Sequence, residues 1–403
     1  MKTILVLGGN FAGFTAALEL RRKLGTGARI TVISRTKDFV YIPGLIWVPF
    51  GRRKIKDISF DLHGALTRRG IGFHHGAVEQ ITPDRHEVTL SDGRTFTYDY
   101  LVIATGAKWM WDALPGLGPK RFTHNIGNPK DAEATYAAFL DYLKHPGPVV
   151  IGATPRASCM GAAYEYLFNF VHQLKRHKAR AGVKITWVTP EPFLGHFGIG
   201  GMPGGEAMLK GFMKLLGVDY RTNAEITEVR EDGVLLASGE FLPSRFTMLM
   251  PPFNGIDPVK NVPGLTDPSG FVSVHDTYQT RAYPNIFAAG LAVAVDNPFA
   301  GTTDVPFGVP KTGYPSDEQG KVVAENIVRL IRGQATLQEK KFGEIPGLCV
   351  MDAGDKEVVI LSDHLMKPRK FQVMLPLPVG DISKVMLEKY FMWKNRTGLS
   401  FLP

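Results

Sequence analysis

The chain has 403 residues, 47 Lys plus Arg against 38 Asp plus Glu for a net charge of +9, 44% hydrophobic content and 2 cysteines. That balance suits a globular protein of two or three domains with a sizeable core, and it excludes a disordered tail and a disulfide-stapled module. The basic residues are scattered without a recognition motif, so the charge reads first as general solubility and second as attraction to an anionic membrane surface; nucleic acid is not expected.

No stretch of about 18 apolar residues occurs, so no segment should cross a bilayer, and no cleaved signal peptide is seen. Residues 3–7 predict a strand, Gly8-Gly9-Asn10-Phe11-Ala12-Gly13 a turn, 14–23 a helix and 29–34 a second strand. Such a unit offers free amides and a positive helix end to a pyrophosphate. Gly8, Asn10, Ala12 and Gly13 are its candidate contacts. Asn10 stands where glycine is usual, and Asn tolerates a left-handed backbone. The second strand ends in Ser34-Arg35 rather than in an acid, so a hydroxyl would hold the ribose and Arg35 would lie near the adenosine or its phosphates.

Two further segments follow in order: LVIATGA at 101–107, with Thr105 and Gly106, and PNIFAAG at 284–290, ending at Gly290. Between them, PVVIGA at 148–153, a helix over 162–175 and KITWVT at 184–189 predict a second dinucleotide-like unit. Its turn carries Thr154-Pro155-Arg156 in place of glycines. Pro removes an amide donor, so a nicotinamide nucleotide site is not expected there.

The three glycine segments, in this order, resemble the FAD-binding half of the flavoprotein disulfide-reductase superfamily. That resemblance implies a backbone contact from Val78 to adenine. Residues 149–168, 190–201 (PEPFLGHFGIGG), 308–327 (beginning GVPKTG), 349–355 (CVMDAGD) and 388–398 (EKYFMWKNRTG) are similar to sulfide:quinone oxidoreductases. The implied fold is α/β, with two Rossmann-like dinucleotide-binding domains and a C-terminal membrane-facing segment. The FAD domain would join 1–112 to 284–332. The second domain, 113–283, would lack a working NAD site, and 333–403 would form the quinone and membrane region.

Two inert buried thiols are the common fate of a cysteine pair. Against that, Cys159 lies at a predicted helix N-terminus, where the dipole favours thiolate, and Cys349 lies in a loop-like context. The resemblance implies that both flank the flavin as a redox pair. Hydrosulfide would attack their disulfide, and electrons would pass through FAD to a membrane quinone, with sulfur leaving as persulfide or polysulfide. Many bacterial relatives carry a third cysteine; Gly127 stands in its place.

His196 sits in a glycine-rich loop expected to be flexible, where an imidazole would exchange protons near neutral pH. Glu165 stays open between a proton relay and an ordinary buried acid. Lys311 and Thr312 are expected at the flavin, Lys311 stabilising its anionic reduced ring. No Cys or His occurs at 39–51, so FAD should be held non-covalently.

Residues 382–393 predict an amphipathic helix, packed on the domain or lying in a lipid interface. In the second reading, Ile382, Val385, Met386, Tyr390, Phe391 and Trp393 form the apolar face, and Lys384, Glu388, Lys389 and Lys394 the polar one. Tyr390 and Phe391 are then candidates for a quinone pocket. A peripheral, monotopic membrane protein is the resulting expectation. A soluble sulfide dehydrogenase serving a cytochrome, and an enzyme like the NADH:quinone oxidoreductases, are the alternatives. No metal site is expected, and homo-oligomer formation is left open.

Overall fold

The computed structural model describes residues 1–403. Its first sheet is built from β1 (Lys2–Leu7), β2 (Ala28–Ser34), β3 (Gly72–His75), β4 (Tyr100–Ile103) and, far along the chain, Ile286–Ala288. Helix α1 (Phe11–Leu24) links β1 to β2. Strands β1 and β4 and the strand Ile286–Ala288 are mainly apolar runs buried on both faces, as a parallel sheet with covered faces requires, whereas the edge strand β3 is partly exposed. The 286–288 strand pairs with β4, β4 with β1, β1 with β2 and β2 with β3, all parallel.

The second sheet comprises β5 (Val149–Ala153), β6 (Ile185–Val188), β7 (Val218–Arg221) and β8 (Phe246–Met250), also parallel, in the order β7-β6-β5-β8. Helix α2 (Met160–Arg176) follows β5, and α3 (Gly205–Leu216) precedes β7. With the chain's return to the first sheet, Ile286–Ala288 becomes β9. Helix α4 (Gly313–Ile331) then packs on α1. Their contact is close because a side chain at Gly320 would strike the Ala12 carbonyl, 2.5 Å from its Cβ.

The C-terminal part is an antiparallel sheet of β10 (Gly347–Asp352), β11 (Glu357–Ser362) and β12 (Gln372–Leu377), closed by helix α5 (Ile382–Thr397). No helix is long and apolar enough to cross a membrane.

Helix α5 combines features of both expected readings: three apolar residues lie outward, as in the lipid-facing one, Phe391 packs inward, as in the packed one, and three of the predicted polar residues are turned into the protein. Lys384, Glu388 and Lys394 are buried, whereas Ile382, Met386 and Trp393 are 58%, 67% and 49% exposed. The buried charges are paired: Lys384 with Glu165 on α2, Glu388 with Arg53 at 3.0 Å, and Lys394 with Asp317 on α4 at 2.7 Å. Of the predicted polar residues only Lys389 points outward. Phe391 is only 3% exposed, with Phe11 and Tyr41 against its ring. It therefore offers no open face to a quinone. The Tyr390 ring stays partly open, its hydroxyl donating to the Pro403 carbonyl at 2.8 Å.

Candidate active site

Parallel register brings the three glycine turns to one edge. Leu7, Ile103 and Ala288 are neighbours across β1, β4 and β9, so Gly8, Thr105-Gly106 and Gly290 leave the sheet side by side. Ligands of open α/β sheets bind at this carboxyl edge. Gly8 has φ +108, and a Cβ there would lie 2.1 Å from the Ala104 carbonyl oxygen. A Cβ at Gly13 would lie 2.0 Å from the Gly8 carbonyl oxygen. Only glycine lets strand, turn and helix approach this closely.

Asn10 does not use the left-handed conformation offered as its rationale. It is the extended N-cap of α1, with φ −104, and the left-handed residue of the turn is Gly8. The Asn10 Oδ1 is buried without a hydrogen-bond partner, as is the Thr105 Oγ1. Orphaned polar atoms beside a helix N-terminus and a glycine cradle fit a dinucleotide with hydroxyl and phosphate groups. Ala12 lies in the first turn of α1. Ser34 ends β2 beside Gly9, while Arg35 is exposed and its carbonyl faces His75 Nε2 at 3.1 Å. Val78 begins the hairpin strand Val78–Thr82. Gly290, at φ +76, donates its N–H to Gln319 Oε1 at 2.5 Å.

Cys159 is the N-cap of α2, as its sequence context suggested. Burial pushes its thiol up to about 12, against the opposing pull of the Lys311 carbonyl contact and charge. Cys349 lies in strand β10 rather than in a loop. It keeps open surface, while desolvation by its surroundings pushes the thiol up to about 11. Both are free thiols. The helix that starts at Cys159 lies along the strand that carries Cys349, joined where Glu165 accepts from the Asp352 amide at 3.0 Å.

Each cysteine has one buried lysine in its field, and each lysine favours the thiolate. For Cys159 it is Lys311, whose carbonyl is 3.8 Å from the sulfur; for Cys349 it is Lys384. Lys311 donates to the Val293 carbonyl at 2.8 Å and lies 3.2 Å from the centre of the Phe271 ring. Burial lowers its pKa to about 7, with Asp267 and Cys159 pulling the other way. Thr312 caps α4, directly after Lys311, and is exposed. Lys384 was missed as a site residue because its spacing on α5 suits an outward polar face equally well.

His196 departs from expectation. Its loop is core, not a flexible surface loop. The glycines supply positive φ for tight curling, and the Glu191 carboxyl pins the loop by accepting from the Phe197 amide at 2.6 Å, the Tyr164 hydroxyl at 2.9 Å and the Thr189 hydroxyl at 2.8 Å. His196 is 5% exposed, boxed by Phe193, Phe299 and Phe307 at ring separations of 5.1, 4.5 and 4.7 Å. Burial, with Lys367 nearby, lowers its pKa to about 4, so the imidazole is neutral at pH 7.

The turn after β5 is occupied. The Arg156 amide donates to the Pro306 carbonyl at 2.6 Å, Gly308 donates to Ala157 at 2.8 Å, and a Cβ at Gly308 would lie 2.2 Å from Ser158 Oγ. Segment 306–308 thus takes the Arg156 amide and packs against the Ala157 carbonyl and Ser158, filling the turn that a pyrophosphate would approach. At Gly127 a Cβ would lie 1.9 Å from Trp109 Cζ2, so an indole takes the space of any side chain there.

The pyridine nucleotide-disulphide oxidoreductase model matches residues 2–298. The sulfide-quinone reductase of Aquifex aeolicus is 33% identical over 98% of this chain and 92% of its own length. The X-ray structure of that organism's sulfide:quinone oxidoreductase superposes with a TM-score of 0.93, at 32% identity, covering 99% of this chain and 92% of that one. A mitochondrial sulfide:quinone oxidoreductase of Mus musculus is 25% identical over 71% of this chain and 64% of its own. The chain belongs to the pyridine nucleotide-disulphide oxidoreductase family and, within it, to the sulfide:quinone oxidoreductases.

Proposed function

We propose that this enzyme oxidises sulfide through Cys159 and Cys349 and delivers the electrons through non-covalently bound FAD to a membrane quinone. The observation that carries the reading is the placement of the two thiols, each beside one buried lysine, on a helix and a strand that pack together. Attack by hydrosulfide on a Cys159–Cys349 disulfide breaks the S–S bond and forms a new one. One cysteine becomes a persulfide and the other a thiolate, so the disulfide takes the two electrons that the sulfide sulfur loses. The leaving thiolate would be costly in so dry a site, and Lys311 or Lys384 supplies the compensating charge. As that thiolate bonds to the outer sulfur of the persulfide and closes a trisulfide between the two cysteines, two electrons are released, which bound FAD would take up and hand to a quinone; a second hydrosulfide then carries the extra sulfur off as polysulfide and restores the disulfide.

Asn10, Thr105 and the amides at the start of α1 would hold the cofactor, and Lys311 would lie near its ring. His196, neutral and boxed, would act as a fixed hydrogen-bonding group rather than as a proton exchanger. The covered turn at Arg156 supports an electron donor other than NADH. Helix α5 supports membrane seating: Ile382, Met386 and Trp393 lie exposed on it, while Lys384, Glu388 and Lys394 are paired inside the protein. Tyr390, beside that stripe, would contribute to quinone contact.

The test is anaerobic flavin spectroscopy. Sulfide should bleach the flavin, and a soluble quinone should restore its colour. Rapid bleaching by NADH with none by sulfide would overturn the reading. Cys159→Ser and Cys349→Ser should each abolish sulfide-dependent quinone reduction while FAD stays bound; retained activity would remove the disulfide step.

A further inference from the structure

A surface pocket of about 440 Å³ lies between the 200–207 segment and the start of β12, lined by Gly200, Met202, Glu206, Lys367 and Gln372 among others. One guanidinium organises its polarity. Arg369 donates to the Ile199 carbonyl at 2.8 Å, the Gly201 carbonyl at 2.9 Å and the Gln372 Oε1 at 3.2 Å. Each of these oxygens belongs to an amide whose nitrogen is on a lining residue. The Ile199 carbonyl shares a peptide plane with the Gly200 N–H, and the Gly201 carbonyl with that of Met202. In a trans peptide the N–H points opposite to the C=O. With the oxygens drawn to Arg369, the Gly200 and Met202 N–H groups point away from it, and neither finds a protein acceptor. The Gln372 side-chain NH₂ likewise keeps its donors free. Lys367 adds an ammonium without a salt-bridge partner, whereas the lining carboxylate, Glu206, is already held by Lys210 at 2.7 Å.

The pocket therefore presents donors, and its free charge is positive. Its surroundings indicate the ligand. Strand β12 forms the edge of its sheet, and its side chains alternate between faces. Gln372 and Met374 turn toward the pocket side, where Met374 Sδ lies 3.1 Å from the position of a Cβ on Gly205. Phe371 and Leu375 turn to the other side and are 53% and 50% exposed; Val379 and Ile382 continue the apolar surface into α5. A donor-lined pocket at the border of an exposed apolar ridge matches a phosphate group above buried acyl chains.

We propose that this pocket binds the headgroup phosphate of an anionic phospholipid, with Lys367, Gln372 and the Gly200 and Met202 amides as its ligands and Arg369 as the positioning residue. It rests on the reading that the protein sits on a membrane, and it adds a specific lipid contact to that reading.

The experiment measures co-sedimentation of the flavin-loaded protein with phosphatidylcholine vesicles and with vesicles containing 30 mol% phosphatidylglycerol. Wild type should bind both and prefer the anionic ones. Lys367→Gln and Gln372→Glu should each reduce that preference by about fivefold while leaving binding to phosphatidylcholine unchanged. Met386→Glu should weaken binding to both vesicle types. Unchanged preference in the Lys367 and Gln372 variants, or none in wild type that still binds phosphatidylcholine, overturns the pocket but not the membrane reading. Failure of wild type to bind either vesicle overturns both. If inorganic phosphate alone raises the melting temperature as much as dihexanoyl-phosphatidylglycerol does, the site serves a free anion and the lipid assignment falls.

Discussion

Removing the ammonium of Lys394 tests what holds helix α5 in place. Lys394 and Asp317 are both 0% exposed and meet at 2.7 Å, tying α5 to α4. Breaking such a pair by deleting one partner costs about 3–5 kcal/mol, because a charge is left behind in a dry site. Asp317 would retain the Thr15 hydroxyl at 2.5 Å and Lys321 at 3.4 Å, so Lys394→Met belongs at the low end, about 3 kcal/mol. For one cooperative unit of this length, that corresponds to a fall in Tm of about 3 to 4 °C. Asp317→Asn strands the cation instead, leaving it no carboxylate in contact, only the Pro403 oxygen at 3.2 Å and the Phe391 ring, and should cost more. The double variant Lys394→Met, Asp317→Leu removes both charges and should recover most of the loss. Urea unfolding of the holoenzyme gives the energies, and hydrogen exchange of the α5 amides shows where they act. A single variant within about 0.5 kcal/mol of wild type, or a double variant no better than the worse single, refutes the account.

Gly127→Cys alone should destabilise the protein by about 1–3 kcal/mol, since the new side chain must displace the Trp109 ring, and its cost should shrink when measured in a Trp109→Ala background; an unperturbed Gly127→Cys variant contradicts the crowding. Asn10→Ala should weaken FAD binding by about tenfold without lowering the stability of the flavin-free protein, because its buried oxygen has no partner within the chain; isothermal titration with FAD measures it, and unchanged affinity sinks the assignment. The Glu191 carboxyl is raised by burial to about 7, so between about pH 4.5 and 7 the folded state binds more protons than the unfolded one and stability falls as pH rises through that window. Glu191→Gln should flatten this slope in Tm measured from pH 5 to 8; an identical slope means that the group is not perturbed.

The glycine turns were legible because their conformational demands are local: Gly8 and Gly13 are required by contacts within one strand–turn–helix unit. The loop 191–202 was misread for the opposite reason. Its glycines suggested mobility, but the anchor is a carboxyl group that gathers donors from the end of β6, from α2 and from the loop itself. No spacing rule links Glu191 to Tyr164. The ionisation of Cys159 also needed the structure, because a helix N-cap is visible in sequence and the depth of its burial is not.

Helix α5 shows where periodicity stops being informative. An apolar stripe at helical spacing separates two faces but does not say which one meets the protein. Core packing is the common answer for an apolar stripe, and lipid contact is the exception. Here Glu165, Arg53 and Asp317 draw three charges of α5 inward, since each is placed by a distant segment to receive one. The inward charges have a functional consequence. Lys384 stands on the same helix as the exposed Ile382 and Met386, and it also lies within the field of Cys349. A helix displaced from its inward ion pairs would withdraw that charge and disrupt the lipid-facing stripe together. In the function proposed above, sulfide chemistry and membrane seating would therefore depend on the same set of buried pairs.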